Sequence, residues 1–98
     1  MKKLLTLLML IPLLSFGQTE IENLVESGDA KFELEDYSGA IADYTKAIAL
    51  DPENSYSFYS RGFANDNLGY SNEACSDWRK SAELGDSDAA KLVIDNCK

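Results

Sequence analysis

Cys75 and Cys97 are the side chains with the most distinctive chemistry in this sequence of 98 residues. Their spacing is not the C-x-x-C of a redox pair, and no histidine is present to activate a thiol. Without histidine, catalysis by a Ser-His or Cys-His pair is excluded, and a zinc site of the usual kind would have only two ligands. A disulfide or two buried free thiols are the uses that remain.

Carboxylates are the other abundant reactive groups. The sequence has 17 Asp and Glu against 9 Lys and Arg, which gives a net charge of −8. This balance argues against nucleic-acid partners, because phosphate backbones are bound by Lys and Arg. Paired carboxylates could act as acid and base, but no metal-ligand spacing or phosphate-binding glycine loop accompanies them. We therefore expect no enzymatic activity, no metal and no cofactor.

Residues 1–17 have the layout of a secretory signal peptide. Lys2 and Lys3 precede an apolar run, and the small residue Gly17 closes the segment, so we predict cleavage between Gly17 and Gln18. The alternative is a membrane anchor, but a spanning helix needs roughly 20 apolar residues and this run is shorter. Cleavage would leave 7 basic and 17 acidic side chains, a charge of −10, on a chain exported to the bacterial periplasm or secreted.

The remaining chain repeats itself after 34 residues, and a period of this size is typical of stacked helical repeats. Apolar residues recur at three- and four-residue spacings, and no segment alternates like a strand. The spacing predicts helices at about 21–34, 37–50, 55–68, 72–84 and 87–97. The matching pairs are Gly28 and Gly62, Ala30 and Ala64, Leu34 and Leu68, Ala40 and Ala74, Asp43 and Asp77, Lys46 and Lys80, and Leu50 and Leu84.

The predicted helices have recognisable ends. Asp36 and Ser71 are suited to cap the second and fourth helices. Pro52 ends the second helix because it cannot continue the hydrogen-bond pattern. Gly69 and Gly85 follow helix ends, where a left-handed backbone conformation is needed.

This arrangement places the two cysteines opposite each other. Cys75 lies about ten residues before the turn near Gly85, and Cys97 about eleven residues after it. Residues equally distant from the turn of an antiparallel helix pair lie at the same level, and a disulfide needs Cα atoms within roughly 7 Å. We predict a Cys75–Cys97 disulfide, with two buried free thiols as the alternative.

The run from Ala40 to Pro52, AIADYTKAIALDP, resembles the second helix of a tetratricopeptide repeat, and Gly28 and Asp36-Tyr37 fit the same pattern. This resemblance implies an all-α fold, a right-handed α-solenoid of five helices. It divides the domain 18–98 into one repeat at 21–54, a second at 55–88 and a capping helix at 87–97. Gly28 and Gly62 would let the partner helices approach, with Tyr44 and Trp78 filling the space opposite them.

The resemblance also implies a function. Tetratricopeptide arrays bind peptides or protein surfaces, commonly in a groove lined by the first helix of each repeat. From the first helix this groove would take Glu22, Val25, Glu26, Asp29, Phe32 and Glu33. From the third helix it would take Tyr56, Tyr59, Ser60, Phe63, Asp66 and Asn67.

Such a groove is aromatic and acidic, so it favours a basic or aromatic protein segment. One subclass of the family holds acidic C-terminal tails with basic residues, and Val25, Asp29 and Ser60 at the matching places exclude that specificity. The alternative function is architectural, as a homodimer or a subunit of an envelope assembly without a peptide groove. No nucleic acid and no membrane span after cleavage are expected in either case.

Three residues depart from the family pattern. Arg61 stands where an apolar residue is usual, and we expect it to pair with a carboxylate such as Asp29 or Asp66. Lys31 and Asn65 stand where an aromatic residue is usual, so the packing of the first helix of each copy is open to question.

Overall fold

A computed structural model describes residues 2–98, with side chains described for residues 17–98. The chain forms five helices, α1 (Lys2–Glu33), α2 (Tyr37–Leu50), α3 (Ser55–Asn67), α4 (Ser71–Glu83) and α5 (Ser87–Asn96), and residues 2–98 contain no strand. The all-α fold is therefore confirmed, with four of the helices within a residue or so of the predicted bounds. The first helix differs, because it begins at Lys2 rather than near residue 21.

The predicted signal peptide falls mostly on residues 1–16, which lie outside the residues whose side chains are described. Cleavage after Gly17 accordingly remains a prediction. Within the part of the chain that the structure describes, no helix combines the length and the apolar character needed to cross a bilayer.

Short polar side chains cap the starts of α2, α3 and α5. Asp36 accepts a hydrogen bond from the Gly39 amide at 3.0 Å at the start of α2, as predicted, and Asn54 accepts one from the Ser57 amide at 3.1 Å at the start of α3. The predicted cap of α4 is wrong. Ser71 is the first residue of that helix, and the capping position belongs to Tyr70, whose side chain makes no capping hydrogen bond.

Three turns share a left-handed residue directly after the leucine that follows a helix. Gly69 and Gly85 have φ angles of 85° and 107°, as the sequence predicted. Glu35 occupies the corresponding place after α1 with a φ of 62°, although it carries a side chain. The chain therefore accepts a strained residue in the first turn and glycine in the later two.

The two helices of each repeat pack closely through a glycine. A Cβ atom at Gly28 would lie 2.6 Å from Cε1 of Tyr44, and one at Gly62 would overlap the Trp78 indole. Real Cβ atoms do not approach other atoms so closely, so any larger residue would push the ring away. Tyr44 and Trp78 thus fill the space opposite the two glycines, as expected.

Each repeat also buries one carboxylate between its helices. Asp43 of α2 accepts a hydrogen bond from Ser27 at 2.6 Å and pairs with the Lys31 ammonium at 2.9 Å. Burial alone would raise the pKa of Asp43, but the Ser27 hydroxyl and Lys31 lower it below its usual value. Asp43 is therefore ionised at neutral pH.

The same arrangement recurs 34 residues later with different donors. Asp77 accepts hydrogen bonds from Arg61 Nε at 3.0 Å and Nη2 at 2.7 Å, and from the Asn65 amide at 3.0 Å. The expected pairing of Arg61 with Asp29 or Asp66 is wrong, because Arg61 faces α4 rather than its own helix or α1. Asn65 donates a hydrogen bond to the buried carboxylate of its repeat, and Lys31 pairs with the one in the first repeat. Neither packs as an aromatic residue would.

The last helix is joined covalently to the second repeat. A disulfide joins Cys75 and Cys97, whose Cα atoms are 5.7 Å apart. The structure therefore contains the predicted disulfide. Ala89 of α5 is fully buried, whereas Ile94 keeps 75% of its surface exposed, so α5 covers α4 but presents an apolar side chain outward.

Candidate functional site

A cavity of about 280 Å³ lies between the first helices of the two repeats. Asp29, Phe32 and Glu33 of α1 form one side of it. Tyr56, Tyr59, Ser60 and Phe63 of α3 form the other, and Tyr44 of α2 lies at its base. These residues are called the aromatic–acidic pocket below.

The pocket brings together seven of the residues predicted for a groove and leaves out the others. Tyr56, in the first turn of α3, reaches Asp29, so the part of α1 before Asp29 extends past the N-terminal end of α3. Glu22 and Val25 lie on that part and have no α3 residue opposite them in the pocket. Asp66 is exposed near the other end of α3 and also lies outside the cavity.

Asp29 joins the two repeats at the base of the pocket. The Tyr44 hydroxyl donates to Oδ1 of Asp29 at 2.5 Å, and the Tyr56 hydroxyl donates to Oδ2 at 2.9 Å. Burial raises the pKa of both phenols, and the neighbouring Asp29 carboxylate raises it further. Both tyrosines are therefore protonated at neutral pH and remain hydrogen-bond donors.

The role of Tyr44 was missed in the sequence. Its ring was expected to fill space opposite Gly28, which it does, but its hydroxyl also fixes Asp29. The available signal was the residue type itself. A buried tyrosine needs a partner for its hydroxyl, and the sequence places Asp29 directly after the glycine that Tyr44 packs on.

Edge-to-face ring contacts hold the α3 side of the pocket. The ring centroids of Tyr59 and Phe63 are 5.0 Å apart, and those of Phe63 and Trp78 are 5.2 Å apart. The Trp78 indole also donates a hydrogen bond to the Tyr59 carbonyl at 3.2 Å. Packing on the buried Trp78 therefore orients this wall before any ligand arrives.

The charge of the pocket is negative and unpaired. Among the described residues 17–98, ion pairs join Lys31 to Asp43, Arg61 to Asp77 and Lys80 to Glu83, and none of them involves Asp29 or Glu33. Within the same residues, no three His, Cys, Asp or Glu side chains lie close enough together to hold a metal ion. The arrangement offers aromatic faces and carboxylates to a ligand.

Comparison with protein families gives one result that fits this geometry. The family described as TPR repeat matches residues 28–69, which run from the end of α1 through α2 and α3. Comparison with curated proteins gives no match. Residues 28–69 therefore match the tetratricopeptide repeat family, and the helical stack described above is the fold that this family predicts.

Proposed function

We propose that this tetratricopeptide repeat protein is an exported, non-catalytic module that binds a peptide or protein segment in the groove between α1 and α3. The observation that carries the proposal is the aromatic–acidic pocket, which lies between the first helices of two successive repeats. Tyr56 offers accessible aromatic surface there, with 47% of that residue exposed. Tetratricopeptide repeats are protein–protein interaction modules in general, which supports a protein partner.

Preorganisation favours binding at this site over other surfaces. Ordering side chains on association costs roughly 0.5–1.5 kcal/mol for each flexible residue. Tyr59 and Phe63 are already fixed by ring contacts with each other and with Trp78. A partner segment would therefore meet rigid aromatic surface, which gives large contact area with little loss of entropy.

A displayed library of random peptides tests this function directly. Peptides selected on the wild-type protein should lose at least tenfold in affinity with Tyr59→Ala. They should keep their affinity with Tyr70→Ala, because Tyr70 is exposed in the α3–α4 turn and does not line the pocket. Thermal melting first establishes that both variants are folded. Equal affinity for the two variants, or failure to select any peptide, would refute a peptide groove at this site.

Export is supported by residues 1–17 and by the disulfide. Disulfides persist in oxidising compartments and are rare in the cytosol, so the Cys75–Cys97 bond agrees with secretion. Expression of the full-length protein in a bacterial host, followed by mass spectrometry of the periplasmic and medium fractions, tests the proposal. We expect a product that begins at Gln18. A cytosolic product that retains residues 1–17 would contradict export.

An architectural role is the second candidate, and the outer side of α5 favours it. Ile94 is 75% exposed beside Val93 and Ala90, and these side chains line a shallow depression with Ala82 of α4, together with the charged side chains of Arg79 and Glu83. A homodimer could bury this surface. Sedimentation over a range of concentrations distinguishes the two roles. A dimer that Ile94→Asp dissociates favours the architectural role, and a monomer that binds selected peptides favours the interaction module.

A further inference from the structure

The aromatic–acidic pocket is a small, open cavity that one side chain of a partner can enter. Pockets for small molecules usually measure about 300–1,000 Å³, and this cavity of about 280 Å³ lies at the lower end of that range. Its walls are aromatic on the α3 side and carry Asp29 and Glu33 on the α1 side. The side chain that fits must therefore combine an apolar or flat surface with a charge opposite to that of the two carboxylates.

Among the described residues 17–98, no Lys or Arg lines this pocket. The two cations that lie nearest in sequence serve other groups, since Lys31 pairs with Asp43 at 2.9 Å and Arg61 with Asp77 at 2.7 Å. Neither points into the pocket, whose lining includes no Lys or Arg. No lining residue balances the negative charge of Asp29 and Glu33. A cationic group of a ligand would neutralise it.

Asp29 is held in place by two hydrogen bonds and can accept further hydrogen bonds from a ligand. Its two oxygens receive one hydrogen bond each, from Tyr44 and from Tyr56. An ionised carboxylate has about four acceptor sites, so each oxygen keeps one free. Because both tyrosines hold the group in place, the free sites have fixed directions, which favours a planar donor with several N–H groups over a single flexible ammonium.

The rings next to Asp29 suit the same ligand. Cations are attracted to aromatic faces within about 6 Å, and arginine makes such contacts more often than lysine. This chain already makes one, since the Arg61 guanidinium carbon lies 5.5 Å from the centre of the Phe58 ring. Tyr59 and Phe63 offer comparable rings in the lining of the same pocket as the carboxylates of α1.

We propose that the aromatic–acidic pocket binds the side chain of an arginine in the partner segment, with the guanidinium between Asp29 and Glu33 and the rings of Tyr59 and Phe63. This inference rests on the proposed function, because it names the residue that a bound segment would insert. It makes arginine the main specificity determinant of the groove. Lysine would bind more weakly, since it lacks the planar fork that matches the fixed carboxylate.

The test uses blocked pentapeptides Ac-Gly-Gly-Xaa-Gly-Gly-NH2 in which Xaa is arginine, lysine, citrulline or norleucine. Binding to the full chain is followed by NMR, through the amide shifts of Tyr59, Ser60 and Phe63. We expect saturable shifts with the arginine peptide, and affinity lower by roughly fivefold or more with citrulline, which keeps the shape but not the charge. Lysine should rank between the two, and norleucine should bind no better than citrulline.

Matched variants place the effect in the pocket. Glu33→Gln should weaken the arginine peptide about two- to threefold and reduce the dependence on salt. Glu73 is an exposed residue of α4 outside the pocket. Glu73→Gln should change neither the affinity for the arginine peptide nor its dependence on salt. Glu33 is exposed, so its variant should fold, whereas replacing Asp29 would also remove the link between Tyr44 and Tyr56.

Each outcome separates this inference from the proposed function. Equal affinity for arginine and citrulline, shifts outside the pocket, or no binding by any pentapeptide would overturn the arginine site. The peptide library would still test the groove, because selected peptides without arginine that depend on Tyr59 would support the groove alone. If neither experiment yields binding at Tyr59, both the arginine site and the groove fail.

Discussion

Arg61 and Asp77 are joined by two parallel hydrogen bonds across the interface of α3 and α4, one of 3.0 Å from Nε to Oδ2 and one of 2.7 Å from Nη2 to Oδ1. The side chain of Asp77 is only 7% exposed and that of Arg61 21%. The pair lies where Ser27 and Asp43 meet in the first repeat. A buried carboxylate between the two helices is therefore a shared element of both repeats.

Asp77→Asn should destabilise the protein, because the Arg61 guanidinium would lose its charge partner in a largely buried place. Breaking a fully buried ion pair costs about 3–5 kcal/mol. Since Arg61 is partly exposed, we expect a loss of about 2–3 kcal/mol in the free energy of unfolding. Urea unfolding followed by Trp78 fluorescence measures it.

The control for this variant is Glu83→Gln in the exposed pair of Lys80 and Glu83, whose charged atoms are 3.8 Å apart. Exposed pairs contribute at most about 1 kcal/mol, so this change should stay below about 0.5 kcal/mol. Similar losses for the two variants would show that the Arg61–Asp77 pair is only a surface contact.

Glu35→Gly should stabilise the protein. Glu35 has a φ of 62°, a conformation that Gly69 and Gly85 provide in the later turns. A left-handed residue with a Cβ costs about 1–2 kcal/mol, and the greater freedom of unfolded glycine offsets part of this. We expect a gain of about 0.5–1 kcal/mol in the free energy of unfolding, measured by thermal and urea unfolding.

The reverse substitution provides the comparison for that turn. Gly69→Ala, at the position 34 residues later, should destabilise by about 1 kcal/mol or somewhat more. No atom lies within 4 Å of a Cβ at Gly69, so backbone conformation alone decides the result. A stabilising Gly69→Ala would refute this account of the turns.

Ser57→Ala and Ser81→Ala should have opposite effects, although both side chains are fully buried. The Ser57 hydroxyl has no hydrogen-bond partner among the described residues, whereas the Ser81 hydroxyl donates to the Ser55 carbonyl at 2.9 Å. Removing a buried hydroxyl without a partner is neutral or stabilising, and removing a bonded one costs about 0.5–1.5 kcal/mol. Circular dichroism melts of the two variants measure the difference, and equal losses would contradict it.

Reduction of the disulfide should lower the melting temperature. The bond joins residues separated by 22 positions, and closing a loop of this length contributes about 3 kcal/mol in the chain-entropy account. For a domain of this size the melting temperature should fall by on the order of 10–20 °C. Calorimetry with and without a reductant measures the shift.

The double variant Cys75→Ala with Cys97→Ala is the control for reduction. It should melt near the temperature of the reduced protein and should not respond to the reductant. Thiol titration of the unfolded, unreduced wild-type protein should find no free thiol. Two titratable thiols, or a melting temperature that reduction leaves unchanged, would contradict a stabilising bond.

The helices were predictable because their signals are local. Pro52 after α2 and the glycines at 69 and 85 each act within a few residues of the boundary that they set. The cap of α4 was not predictable in this way. Ser71 has a suitable side chain, but the turn that ends α3 at Gly69 leaves Tyr70 in the capping position.

The candidate site was predictable only in part, because its geometry depends on how the repeats meet. Helical spacing grouped Asp29 and Phe32 with Tyr59 and Phe63, and these four residues line one cavity. It could not determine that α3 begins level with Asp29, which leaves Glu22 and Val25 outside the pocket. The partner of Arg61 was missed for the same reason, since facing directions between helices are set by packing rather than by sequence spacing.

The disulfide also determines how the protein would respond to a pulling force. Tension applied at Lys98 enters the fold through Cys97 and passes across the sulfurs directly to Cys75 in the second turn of α4. Helix α5 lies in the closed covalent loop between them and carries none of this load. Stretching the oxidised protein would therefore load α4 first, whereas in the reduced protein α5 would peel away before the repeats open.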